Sequence, residues 1–164
     1  MRISVITAAV LVLLFGGSRA HAQIRKVEVI LHTTDDDKDY NTRLKIAVWR
    51  GGQCLAVADN IASNMRLPDP SFHTAVLNVT NGNFGPGAIS HANNIAVKFE
   101  TQAVGNDDWH FEYEIRVHFA NGQVVSMHDR GPGGRAGHRM NSRNSAVVHL
   151  DSRPHDGGMK EWRR

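Results

Sequence analysis

Four carboxylates fall within five positions of the stretch Thr33-Thr34-Asp35-Asp36-Asp37-Lys38-Asp39-Tyr40-Asn41-Thr42. Such charges repel one another, and holding them close gains nothing obvious unless a cation neutralises them. Ca²⁺ takes six to eight oxygens from carboxylates, amides and carbonyls, and this stretch is rich in all three. Asp35, Asp37 and Asp39 carry the i, i+2, i+4 spacing that opens an EF-hand loop, but Tyr40 stands where that loop requires glycine and Ile46 where it requires a bidentate glutamate. An EF-hand is therefore excluded. The same run also suits a solvated turn that discourages edge pairing. A second acidic loop, Gly105-Asn106-Asp107-Asp108, precedes Trp109. If the strand entering the first loop and the strand leaving the second are antiparallel neighbours, both loops lie at one end of the fold. Asp35, Asp37, Asp39, Asp107 and Asp108, with Asn41 beside them, are then the candidate ligands for one or two Ca²⁺ ions.

The strand that leaves the second loop is the clearest element in the chain. From Trp109 to Phe119 the odd positions are Trp, Phe, Tyr, Ile, Val and Phe, while the even ones are His, Glu, Glu, Arg and His. A period of two describes a strand with one face buried. Val27–His32, Leu44–Trp49, Cys54–Ala58, Phe72–Val79 and Ile95–Phe99 read as further strands. Asn121-Gly122 predicts a type I′ hairpin that returns Gln123–Met127 onto Trp109–Phe119. Residues 146–150 form a possible last strand. About eight short strands with frequent turn signals and no amphipathic helix predict an antiparallel β-sandwich, with a closed barrel as the alternative.

Arg2, an apolar run from Ile3 to Phe15 and the ending Ala20-His21-Ala22 describe a cleaved secretory signal over residues 1–22. The run is too short to span a bilayer, and no later one is longer. The expected product is a secreted or periplasmic chain with no transmembrane segment, its sandwich body covering residues 23–129. The single cysteine, Cys54, allows no intrachain disulfide and is expected to pack in the core. Residues 23–129 hold nine Lys/Arg against thirteen Asp/Glu, whereas residues 130–164 hold eight against three. The formal net charge of +3 thus comes from the tail, where Arg130, Arg135, Arg139 and Arg143 stand in a Gly-rich stretch that reads as a loop or linker.

Catalytic signatures are missing: there is no G-x-S-x-G elbow, and Gly131-Pro132-Gly133-Gly134-Arg135 lacks the ending of a phosphate-binding loop. The ten histidines show no zinc-motif spacing, and His110 and His118 are too far apart along one strand to share an ion. Trp109 starts the apolar face and is expected in the core. Trp49, out of register with Leu44, Ile46 and Val48, is expected to be the exposed aromatic or half of a cross-strand pair on the outer face.

The acidic, Thr-containing loop running into Asp39-Tyr40-Asn41-Thr42-Arg43-Leu44-Lys45-Ile46, followed by Asp107-Asp108-Trp109 opening a strand with Tyr113, Ile115 and Val117, resembles the PLAT/LH2 domain over residues 27–127. C2 domains share its sandwich and aspartate-loop chemistry. The resemblance implies an eight-stranded β-sandwich that binds a membrane surface, a glycan or a protein partner with Ca²⁺ held in loops at one end. The expected function is non-catalytic Ca²⁺-assisted docking without specific nucleic-acid recognition. The alternative is a metal-independent structural or partner-binding protein that meets an acidic surface through its Arg-rich tail.

Overall fold

In a computed structural model the chain is almost entirely antiparallel β-structure, and the structure describes residues 23–90, 95–102, 108–129, 138–141, 148–155 and 158–162. The expected signal segment, together with Asp107, Arg130, Arg135 and Arg143, lies outside these residues. Strands β1 (Ile24–Asp35), β2 (Arg43–Arg50), β3 (Gln53–Ile61) and β4 (Ser71–Val79) come first. A single helical turn, α1 (Pro86–Ser90), separates them from β5 (Ile95–Gln102), β6 (Asp108–Phe119) and β7 (Val124–Asp129). The chain closes with β8 (His138–Asn141), β9 (Val148–His155) and β10 (Gly158–Trp162).

The strand order is β10-β9-β5-β2-β3-β4-β1-β6-β7, with β8 also on β6. This path folds into two layers, which share strand pairing where β3 meets β4 at Ala56↔Val79 and Val57↔Asn78. Strands β4, β1, β6, β7 and β8 make one layer and β3, β2, β5, β9 and β10 the other, giving the expected β-sandwich, almost closed into a barrel.

The two-residue period explains why the layers adhere. Trp109, Phe111, Tyr113, Ile115, Val117 and Phe119 are all buried, as are Val27, Val29 and Leu31 beside them on β1. Leu44, Ile46 and Val48 of β2 and Ile95, Val97 and Phe99 of β5 belong to the same core. Phe99 packs on Phe111 and Tyr113 with ring centroids 5.1 and 5.0 Å away, linking the layers. Burying aromatic and branched side chains on this scale is the main favourable contribution to folding.

Several local expectations are corrected. The β6–β7 hairpin forms, but its turn is centred on Ala120-Asn121: Gly122 N–H donates to Phe119 O at 3.0 Å, and only Gly122 of the loop is left-handed, at φ +84°. Three loop residues ending in a left-handed glycine suit a hairpin with a bulge better than a type I′ turn. Beyond Asp129, β8 lies within the stretch read as a loop, and β9 and β10 extend past residue 150. Periodicity could not expose β8, which is only four residues long. Cys54 is half-buried, outside the core. Trp49 is also half-buried, with its indole nitrogen shielded from solvent, because β2 is a central strand and Trp49 sits between Cys54 of β3 and Ala96 of β5.

Candidate metal centre

Strands β1 and β6 run antiparallel along nearly their whole lengths. The end of β1, where the acidic loop begins, therefore lies beside the start of β6. Thr33 pairs with Phe111, and a register shift after it sets Asp35 opposite His110. Bulges of this kind re-aim side chains at strand ends. Here the shift gives an acid at the tip of β1 a histidine neighbour on β6.

His110 Nδ1 is 3.7 Å from Asp35 Oδ2 and 4.0 Å from Asp36 Oδ2. One donor atom from each of the three residues lies within 4.8 Å of the others. The two carboxylates are exposed, whereas His110 is largely covered and its Nδ1 is buried with no hydrogen-bond partner among the described residues. Asp36 adopts a left-handed backbone, φ +49°, a conformation that aspartate tolerates better than most residues.

Next to this cluster, Arg139 of β8 holds Asp108 in a two-pronged contact, its Nε donating to Oδ1 at 2.8 Å and its Nη2 reaching Oδ2. That hydrogen-bonded guanidinium holds the Asp108 carboxyl below the usual range against the opposing effect of burial. Asp108 reciprocally raises the guanidinium, and Asp36 adds to the effect. Arg139 is positioned because β8 pairs with Asp108–Phe111. Strand β8 also carries a buried polar group inward: His138 Nε2 lies 3.0 Å from Asp129 Oδ2 without the geometry of a hydrogen bond, and Tyr113 OH donates to the same oxygen at 3.3 Å. Burial, followed by the Asp129 charge, raises the Tyr113 hydroxyl well above its ordinary pKa.

Asp37, the next acid of the loop, is occupied otherwise. Asp37 Oδ1 accepts from Asp69 N–H at 2.6 Å, and Oδ2 pairs with Arg66. Lys38, between these acids, is fully buried. Its Nζ donates to the carbonyls of Asp39, Ala62 and Met65, each at 2.9 Å, and its backbone forms a two-way bridge with Leu67. The repulsion anticipated from the sequence is thus opposed by cations of the chain itself. Thr42 N–H bonds to Asp39 O at 3.2 Å, and Asn41 is exposed.

Of the expected ligands, then, Asp35 reaches the cluster, Asp108 lies next to it in an ion pair, and Asp37 faces the 62–70 loop. Asp36 and His110 are members that the sequence reading missed. Spacing along β6 relates His110 only to His118, whereas its approach to Asp35 depends on the cross-strand register. Of Arg130, Arg135, Arg139 and Arg143, the tail arginines expected at a binding surface, Arg139 is among the described residues, and it is turned back onto Asp108.

The solvent face of the same layer carries further histidine–acid contacts. Glu112 Oε2 is 3.7 Å from His32 Nδ1 and 3.8 Å from His128 Nε2, and His118 Nε2 is 2.6 Å from Glu28 Oε2. Glu114, which projects from β6 on the same face as Glu112, is bound by Arg116 at 2.8 and 2.9 Å. Among the described residues no helix is long and apolar enough to cross a membrane. No protein-family model matches the chain, and no curated protein matches it in sequence.

Proposed function

We propose that this chain is a secreted, non-catalytic binding module that holds a divalent transition ion at Asp35, Asp36 and His110 and uses the ion's open positions to dock on an anionic group of a lipid, glycan or protein surface. The observation that carries this reading is the convergence of two exposed carboxylates on a buried imidazole nitrogen that has no hydrogen-bond partner among the described residues. Zinc bound at about 2.0–2.2 Å keeps tetrahedral ligands roughly 3.4 Å apart, so separations of 3.7 and 4.0 Å need only a small closure. Asp35, Asp36 and Asp108 set against Arg139 leave two negative charges uncompensated, the charge of one divalent cation. An imidazole donor favours Zn²⁺ or a neighbouring transition ion, whereas Ca²⁺ prefers oxygen ligands throughout. The secretory character of residues 1–22 supports an extracellular or periplasmic site of action.

The test is thermal unfolding with Zn²⁺, Ca²⁺, Mg²⁺ or a chelator, for the wild type and for His110→Ala. Zn²⁺ at a hundredfold above its dissociation constant stabilises by about 2.7 kcal/mol through linkage, several degrees in a domain of this size. The rise should be specific to Zn²⁺ and absent in His110→Ala. An equal rise in His110→Ala would sink the site, and a rise with Ca²⁺ alone would restore an all-oxygen site.

A further inference from the structure

We infer that the outer edge of β4 is a self-association surface on which a second copy of this chain adds its own β4, antiparallel, about a two-fold axis at Thr74. This goes beyond the metal reading and is independent of it. Strand β4 is paired along one side with β1, from Val27↔Leu77 to Thr33↔Ser71. On its other side β3, which is paired with β2 from Arg50↔Gln53 to Leu44↔Ile61, reaches β4 at Asn78 and Val79 and no further toward Ser71 among the described residues. The outer edge of Ser71–Leu77 thus has no strand partner among the described residues.

Exposed edges are normally blunted by lysines, prolines, inward charges or bulges, because their unpaired N–H and C=O groups template another strand. The β4 segment Ser71-Phe72-His73-Thr74-Ala75-Val76-Leu77-Asn78-Val79 has no Lys, Arg, Asp, Glu or Pro, and its pairing to β1 runs without a register shift. Two of its outward side chains are among the most exposed large apolar groups described, Phe72 at 72% and Val76 at 57%. The Phe72 ring is held upright by face-to-face stacking on His32, with centroids 4.2 Å apart.

A second β4 is the partner that this sequence fits. Antiparallel pairing centred on Thr74 sets Phe72 against Val76 of the other copy, twice by symmetry, and Thr74 against Thr74. Aromatic to β-branched and Thr to Thr are favourable cross-strand pairs, and no charge meets a like charge. Because a two-fold interface must be self-complementary, the near-palindromic spacing of Phe72 and Val76 about Thr74 matters more than their hydrophobicity alone. The result is one sheet continuous across two molecules, β7-β6-β1-β4 followed by its symmetry copy.

Sedimentation velocity of the full chain across the micromolar range tests the proposal. The wild type should show a monomer–dimer equilibrium that Val76→Lys weakens roughly tenfold or more, equivalent to at least about 1.4 kcal/mol. Val124→Lys, at an exposed valine on β7 of the same layer, should leave the dimer intact. For the register itself, Thr74→Cys in a Cys54→Ser background should form an intermolecular disulfide on mild oxidation, since opposed residues in antiparallel strands have Cα atoms about 4.5–5.5 Å apart. Circular dichroism of each variant verifies folding. A wild type that stays monomeric, a dimer unaffected by Val76→Lys, or a folded Thr74→Cys chain that does not cross-link would overturn the proposal.

Discussion

Replacing Lys38 by methionine isolates the device that holds the acidic loop in place. Lys38 is wholly buried, and its ammonium group donates to three carbonyls at 2.9 Å: that of Ala62 in buried surroundings, and those of Asp39 and Met65 in partly buried ones. Methionine keeps most of the aliphatic stem but none of the donors. Leaving the Ala62 carbonyl unsatisfied costs about 1–3 kcal/mol, and the two partly buried carbonyls recover only part of their loss from water, roughly 0.5–1 kcal/mol each. Relief from the desolvation of a buried charge offsets some of this, because removing one member of a buried charged network is destabilising only by the balance. The expected net loss is about 2–4 kcal/mol, or roughly 6–12 °C in thermal midpoint for a domain of this size. Arg66→Ala serves as the contrast, since it removes a cation from the same loop by breaking the largely exposed pair with Asp37, which should cost under about 1 kcal/mol. Urea unfolding monitored by tryptophan fluorescence gives both values. If Lys38→Met unfolds within about 0.5 kcal/mol of the wild type, the three carbonyl bonds contribute nothing net and the reasoning fails.

Removing the buried carboxylate with Asp129→Ala leaves the Tyr113 hydroxyl without this acceptor and should destabilise the fold by about 1–3 kcal/mol. Because His138 then loses its partner, a double-mutant cycle with His138→Ala should show a coupling of at least about 1 kcal/mol, and additive effects would argue against the contact. His73 gives a pH signature: burial, with a smaller contribution from the Lys38 charge, lowers its pKa from the ordinary value near 6.5. The unfolded chain therefore takes up this proton first as pH falls. Stability associated with neutral His73 is present above about pH 6.5 and is lost as pH drops from there through the lower folded value. In unfolding titrations between neutral and mildly acidic pH, His73→Gln should show a shallower loss than the wild type, and identical slopes would refute this account.

The long alternation from Trp109 to Phe119 determined by itself that a strand exists there and which of its faces is buried, because side-chain direction in a strand depends only on the parity of position. The same argument placed the inward faces of β1, β2 and β5, and it placed Trp109 in the core, where its indole N–H reaches Thr33 Oγ1 at 3.1 Å. It also marked the acidic loop as the stretch most in need of a cation. Parity does not carry register between strands. That Asp35 meets His110, that Asp37 is taken by Arg66, and that Arg139 closes on Asp108 follow from pairings between segments far apart in the chain. Nor could composition reveal that Lys38 is the most enclosed residue of a run of acids, since its carbonyl partners lie 24 and 27 residues away. Local periodicity was enough to assign the faces of the strands, whereas the partners of each charge were decided by tertiary structure, because electrostatic and coordination chemistry depends on distances of a few ångströms that only strand register and loop closure set.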